Sequence, residues 1–324
     1  MGFVRWDIAS CPKEQPKEIA QRYGLSALAA GVLAARGCTD ERDIEAFLED
    51  EAALSDPYGL ADMDKAVERI RKAVEEAQRI AIYGDYDADG VTSTVILYSY
   101  LESLGADVIY YIPERDGEGY GLNRDAIGLL HENGAELIIT VDNGVTAAEE
   151  IAYAGTLGID VVVTDHHQPP EKLPEACAVV DPHRADDTSA FKDYCGAGVV
   201  FKLLCALEED DGAAMLDYYA DILCLGTVAD LVPLQGENRL FVKYGLQRLM
   251  ESNNPGVCAL AQVAGIAGKE WTAQTVAFAF VPRINAAGRL GSAQKAVQLL
   301  LTEDEEEAAA CAGRGRAQCA PQAD

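Results

Sequence analysis

Residues 79–101 read RIAIYGDYDADGVTSTVILYSYL, and the order of the parts within this stretch decides the fold. A short apolar, β-branched run is closed by Gly84. Carboxylates follow at alternate positions, Asp85, Asp87 and Asp89, then Gly90, then a long run with helical spacing. An EF-hand calcium loop also alternates carboxylates, but it needs a helix on each side and a bidentate Glu at its twelfth position. Counted from Asp85 that position is Ile96, and a strand pattern precedes the acids. The stretch therefore reads as strand, acidic loop, helix.

The same grammar recurs downstream. The runs ADVIYYI, AELIITV, IDVVVT and ACAVV alternate with the helical patterns NRDAIGLLHENG and AAEEIAYAGTLG, and most of the helices end at a glycine, as helices often do. Continuous apolar strands separated by helices form a parallel sheet covered on both faces. The expected fold class is α/β: a doubly wound, mainly parallel sheet flanked by helical N-terminal and C-terminal segments. The domain division expected is a helical segment over 1–75, the sheet domain over 76–233, a helical segment over 234–305 and an irregular tail over 306–324, where large apolar residues run out. Within the first segment, KEIAQRYGLSALAAGVLAARG predicts helix up to Gly37, and Thr39 or Asp40 is placed to cap ERDIEAFLED.

Composition sets limits. The 324 residues are 49% apolar, and 54 Asp and Glu against 26 Lys and Arg give a net charge of −28. Such a field repels nucleic acid at long range, so a nucleic-acid partner must be held locally, by basic residues or bridging cations. Nine cysteines at 11, 38, 177, 195, 205, 224, 258, 311 and 319 include no C-x-x-C pair. They read as small apolar residues of a reducing cytosol. No signal-peptide core and no uncharged apolar run approaching ~18 residues is present, so a cytoplasmic protein without a membrane span is expected.

Strand ends carry the chemistry, because open α/β sheets bind ligands at the carboxyl ends of their strands. The first such end offers Asp85 and Asp87, the third Asp142-Asn143-Gly144, and the fourth Asp165-His166-His167. Taken singly, an Asp-Gly turn or a VDNG loop is ordinary. Adjacent histidines are rarer, and two of the chain's four stand together at a strand end. Clustered carboxylates with an added imidazole suit Mn2+ or Mg2+ better than Zn2+. With Asp85, Asp87, Asp142, His166 and His167 converging, two ions ~3.5–4 Å apart fit the clamp used for phosphoryl displacement.

GDYDADG (84–90), VDNG (141–144), TDHHQP (164–169) and GTVADLVPL (226–234) resemble, in order and spacing, the four motifs of the DHH phosphoesterase superfamily. RINAAGRL (283–290) and EGYGLN (118–123) are similar to its branch of bacterial exonucleases that degrade single-stranded DNA from the 5′ end. The resemblance covers about residues 16–305. It implies two-metal hydrolysis with Asp85, Asp87, Asp142, His166 and Asp230 as ligands, and His167 beside the scissile phosphate. Asp165 would orient a histidine, and Arg283, Asn285 and Arg289 would face the cleft, the arginines gripping phosphate. Tyr120, Asn123 and Asn143 would contact substrate. One departure is Tyr83, where this branch often has histidine. The family also continues into a DHHA1 domain and an OB-fold, and the sequence to Asp324 contains neither. Single-stranded DNA is the expected partner, with a single-strand-binding protein or helicase as possible associates. Two other readings stay open: a phosphodiesterase of short oligonucleotides or cyclic dinucleotides, and an inactive fragment or scaffold. The filled ligand positions speak against the last.

Overall fold

A computed structural model describes residues 14–48, 54–114, 119, 121–209, 212–289 and 293–316. The chain forms two compact units, Met1–Ala52 and Ala53–Asp324. In the first, helices Glu14–Tyr23, Ala27–Ala35 and Glu41–Leu48 enclose Ile19, Ala30, Leu33, Ala34 and Ile44. The single helix expected up to Gly37 is interrupted. Gly24 takes φ +65, a left-handed stop, and the Ser26 side chain accepts from Ala29 N to restart the helix.

The second unit is built on a sheet of five parallel strands: β1 (Ile80–Gly84), β2 (Val108–Tyr111), β3 (Leu137–Val141), β4 (Asp160–Thr164) and β5 (Ala178–Val180). Their spatial order is β2-β1-β3-β4-β5. From β1 the chain steps outward to β2, then returns past β1 to place β3 on the other side. The direction of winding therefore reverses between β1 and β3, and the crevice at such a reversal is where doubly wound sheets bind ligands.

Strand alternation divides the core into two faces. Ile80, Ile82, Leu137, Ile139, Val141, Val162 and Val180 pack on one side with helices Met63–Glu75, Ala88–Ser103 and Gly196–Glu208. Ala81, Tyr83, Ile138, Val161, Val163 and Val179 face the other side, beneath helices Arg124–Glu132 and Ala148–Thr156. The helix Met63–Glu75, grouped by pattern with the N-terminal segment, belongs to this unit. Its apolar stripe of Ala66, Val67, Ile70 and Ala73 is buried in the main core.

Helices Ala213–Ala229, Gly236–Met250 and Pro255–Ala264 extend the first face, followed by a π-helical turn, Val276–Phe280, that leads into helix Val281–Arg289. A buried ion pair ties part of this layer together. Lys202 Nζ lies 3.1 Å from Glu237 Oε2 and donates to Ser55 O, while Glu237 Oε1 accepts from Ser55 N at 3.0 Å. The expected irregular tail differs from what forms: residues Glu305–Arg316 are helical. Asp304 caps this helix by accepting from Glu307 N, and its small alanines suffice to pack, with Ala308 and Ala312 buried. Alanine is also the best helix former, so large apolar residues were not required.

Helices Ala88–Ser103, Gly196–Glu208 and Ala213–Ala229 meet at Gly226. A Cβ there would stand 2.4 Å from Thr92 Oγ1 and 2.8 Å from Ala197 Cβ. Gly226→Ala should therefore destabilise the fold by roughly 1–3 kcal/mol through overpacking. Gly128→Ala, in a helix with nothing within 4 Å of the added atom, should stabilise it by about 0.5–1 kcal/mol. Denaturant unfolding of the two variants, compared with the parent, checks both signs.

Candidate metal centre

Three strand ends and one helix end converge on the crevice. From β1 the chain enters Asp85, which is buried and whose Oδ1 has no hydrogen-bond partner. Asp87 caps helix Ala88–Ser103, its carboxylate accepting from Asp89 N at 2.9 Å and Gly90 N at 3.1 Å. Gly90 is required by this turn, because a Cβ would lie 2.5 Å from the Asp85 carbonyl oxygen. Asp89 turns inward and accepts from Gly196 N at 2.6 Å and Ala197 N at 3.0 Å, the first amides of helix Gly196–Glu208. A helix N-terminus carries partial positive charge, which offsets part of the cost of burying this carboxylate.

From β3 the chain reaches Asp142 at φ +61, a backbone geometry unusual for a residue with a Cβ. Close packing holds it there: a Cβ on Gly196 would stand 2.6 Å from Asp142 Cβ. From β4 come Asp165, His166 and His167. Asp165 Oδ2 accepts from Val145 N at 2.9 Å, while Oδ1 lies 2.7 Å from His167 Nδ1. His166 Nε2 stands 2.9 Å from Asp142 Oδ1 and 3.8 Å from Asp89 Oδ2. On the other side of that ring, Nδ1 is 3.7 Å from Asp230 Oδ2, at the end of helix Ala213–Ala229.

Three sets of donor atoms each lie within 4.8 Å of one another: Asp85, Asp87 and Asp142; Asp142, His166 and His167; Asp89, His166 and Asp230. The sets overlap through Asp142 and His166. This oxygen-rich group, with a neutral imidazole and an orphaned carboxylate oxygen on Asp85, fits hard divalent cations.

The electrostatics agree with a site that awaits positive charge. Burial, then the neighbouring Asp87, pushes the Asp85 carboxyl up to about 7. Burial and adjacent carboxylates hold Asp89 and Asp142 well above the usual range, and burial with Asp87 takes Asp230 to about 6. His166 is lowered to about 4 by burial and by His167, so near neutral pH it is an uncharged ring able to ligate. His167 differs from its neighbour. Its hydrogen bond to Asp165 raises it to about 9, favouring an imidazolium over a ligand. Burial pushes Asp165 upward, but the His167 contact and backbone amides outweigh it and hold this carboxyl below its ordinary value.

The remaining residues singled out in the sequence fall into different places. Asn285 Oδ1 accepts from Ala88 N at 2.8 Å, bringing helix Val281–Arg289 to the start of the acidic turn. Asn143 donates to Val141 O and Tyr83 O, and its Oδ1 is buried without a partner. Asn123 caps helix Arg124–Glu132 and donates to the Tyr83 hydroxyl. Tyr83 itself faces the opposite side of the sheet from Ile82, and its hydroxyl donates to Gly121 O at 3.0 Å. Arg283 folds back along its own helix, Nη1 donating to Ala279 O. Among the described residues no hydrogen bond or ion pair joins it to the acidic centre. Tyr120 and the side chain of Arg289 lie outside the described residues. Asp89, the third carboxylate of the same run, joins the centre although an Asp-Gly pair reads by itself as a turn. Asp181, buried after β5 and raised to about 7 by burial, stands at another strand end but in none of the three donor sets.

Residues 79–227 match the sequence profile described as DHH family, N-terminal domain. Over 306 residues the chain is 41% identical to the single-stranded-DNA-specific exonuclease RecJ of Bacillus subtilis (strain 168), taking in 94% of this chain and 38% of that protein. The RecJ of Thermus thermophilus is 41% identical over 311 residues, 96% of this chain and 45% of its own length. A crystal structure of Thermus thermophilus RecJ in complex with Mn2+ aligns with a TM-score of 0.80 at 36% identity, over 96% of this chain and 45% of that one. The chain thus spans less than half the length of both curated relatives.

These raised carboxyls make stability depend on pH and on cations. Asp85 and Asp230 bind protons in the folded state up to about 7 and about 6, well above the ordinary carboxyl value of 3.8. Their stabilising contribution is present at low pH and is lost as pH rises through this window. His166, lowered to about 4, acts in the opposite sense but is outnumbered once Asp89 and Asp142 are included. In EDTA the thermal midpoint should fall between about pH 5 and pH 8. Mn2+ should raise it by an increment that grows with pH, because the ligands must first lose protons. Thermal scans across that range, with EDTA and with Mn2+, check this; a Mn2+ increment that shrinks toward pH 8 contradicts it.

Proposed function

The chain belongs to the DHH family, and on that premise we propose that it is the catalytic part of a metal-dependent exonuclease that degrades single-stranded DNA from the 5′ end to 5′-mononucleotides. The observation that carries the reading is the meeting of Asp85, Asp87, Asp89, Asp142, His166 and Asp230 at the β1/β3 reversal, in overlapping groups that suit two Mn2+ or Mg2+ ions. When bound, such ions supply Lewis acidity, lowering the pKa of a water and offsetting charge on the phosphoryl oxygens.

The chain's own residues do the rest. Asp142 and His166, shared between donor groups, set the spacing of the centre. His167 is held through Nδ1 by Asp165, and its half-exposed side chain stands at the solvent side. With its pKa raised to about 9, this ring carries a proton near neutral pH and can donate it to a phosphoryl or departing oxygen. Asp165 holds the Nδ1 proton and the ring plane. Asn285 holds the first amide of helix Ala88–Ser103 and so steadies the turn between Asp85 and Asp89.

A second reading keeps the chemistry and shortens the substrate. It is favoured by the net charge of −28 and by Arg283, whose one side-chain hydrogen bond among the described residues goes to Ala279 O. In that case dinucleotides would be cleaved and long strands would not. Nine cysteines without a C-x-x-C pair, those described all free, support a cytoplasmic setting. There a single-strand-binding protein or helicase would present the strand.

Mn2+-dependent digestion of 5′-labelled single-stranded DNA, beside a labelled dinucleotide, tests the reading. Mononucleotides released from the long strand are the expected result; activity on the dinucleotide alone selects the second reading. Asp142→Ala should reduce turnover to background while leaving the protein folded. Retained nuclease activity in a folded Asp142→Ala protein overturns the mechanism.

A further inference from the structure

Helix Ala213–Ala229 ends at Asp230 and passes directly to Leu231, which has φ +59. This left-handed position after a helix is ordinarily filled by glycine or asparagine, because a Cβ there is strained. When an apolar residue does occupy it, the usual compensation is contact with the last turn of the helix. Leu231 makes no such recovery, for it is 83% exposed. Leu234, just past Pro233, is also exposed at 39%. Strain and exposed apolar surface thus coincide on one residue, and the described fold gains from neither. Strain of this kind gathers at ligand clamps and active sites. Here the adjacent residue is Asp230, whose carboxylate is 3.7 Å from the His166 ring.

We propose that Leu231 is a nucleobase-contacting residue, packing its side chain against the base of the nucleotide that flanks the phosphodiester held at the acidic centre. The inference rests on the nuclease reading and names what grips the substrate there. Net charge supplies a second, independent argument. At −28 the protein repels a phosphate backbone, so affinity from basic contacts and counterion release is weak. Base faces are uncharged and partly apolar, and burying leucine against one adds affinity without opposing that field. Every base has such a face, so the contact is tolerant of sequence. It also favours single strands, whose bases can be splayed out of the stack. A smaller phosphodiester lacking a base gains nothing from Leu231.

The test compares binding of a fluorescein-labelled oligothymidylate with that of an abasic strand of the same length and charge. Anisotropy is measured in Ca2+ for the parent protein and for Leu231→Asn. Asparagine accepts the left-handed backbone, so the variant should fold with an unchanged or higher thermal midpoint. The parent should prefer the strand with bases by roughly fivefold, and the variant should lose most of that preference. Equal binding of both strands by the parent overturns the inference, as does an undiminished preference in the variant. Mn2+ digestion of the same two preparations separates this from the nuclease reading. Base preference lost in the variant, with no cleavage by the parent, keeps the contact and ends the nuclease assignment. Cleavage with preference intact in the variant does the reverse.

Discussion

Mutual repulsion among buried carboxylates is the constraint around which this molecule is arranged. Asp85, Asp89 and Asp142 are all nearly inaccessible to water, and each is raised by burial and then by neighbouring carboxylates. Water cannot solvate them and, among the described residues, no lysine or arginine forms an ion pair with them. The fold answers with what backbone can supply. Helix Ala88–Ser103 starts on Asp87, and helix Gly196–Glu208 directs its first amides at Asp89. Partial charges of this size soften the repulsion and leave most of it standing. What remains is a reserve of unfavourable energy that divalent cations release on binding, and metal affinity is in this sense stored by folding.

The two histidines show how one strand end can yield opposite chemistry. They are neighbours in sequence and their rings are 4.5 Å apart. His166 points into the carboxylate group and is kept neutral by burial, whereas His167 turns to Asp165 and is kept protonated. Asp165 differs from the other acids because its oxygens are satisfied by Val145 N, His166 N and His167. A saturated carboxylate suits the orienting of other groups; an unsaturated one, such as Asp85, has an oxygen left over that suits a cation.

How far the sequence foretold this depends on the range of the interactions involved. Strands such as LIITV and VVVT were legible because burial on both faces writes a local apolar run. Their acidic ends were legible because parallel sheets expose one edge to ligands. Asp89 was not, since its role is set by amides 107 and 108 residues away. Arg283 could not be placed either, because whether its guanidinium reaches outward or back to Ala279 O is a rotamer choice that no pattern records. The helix Glu305–Arg316 was legible only in its charged start, up to Glu307, because the rest packs through alanines, which carry little hydrophobic signal.

The return of the chain past β1 to form β3 also bears on how the protein comes to exist. Strand β1 pairs with β3 across more than fifty intervening residues, and neither the Asp89 cap nor the Asp230 position forms until helices far downstream have docked. Sheets of this topology must close long loops before they gain contacts. During synthesis Asp85 emerges long before Asp230. The donor group that includes Asp230 is therefore completed later than that of Asp85, Asp87 and Asp142, which needs only the pairing of β1 with β3.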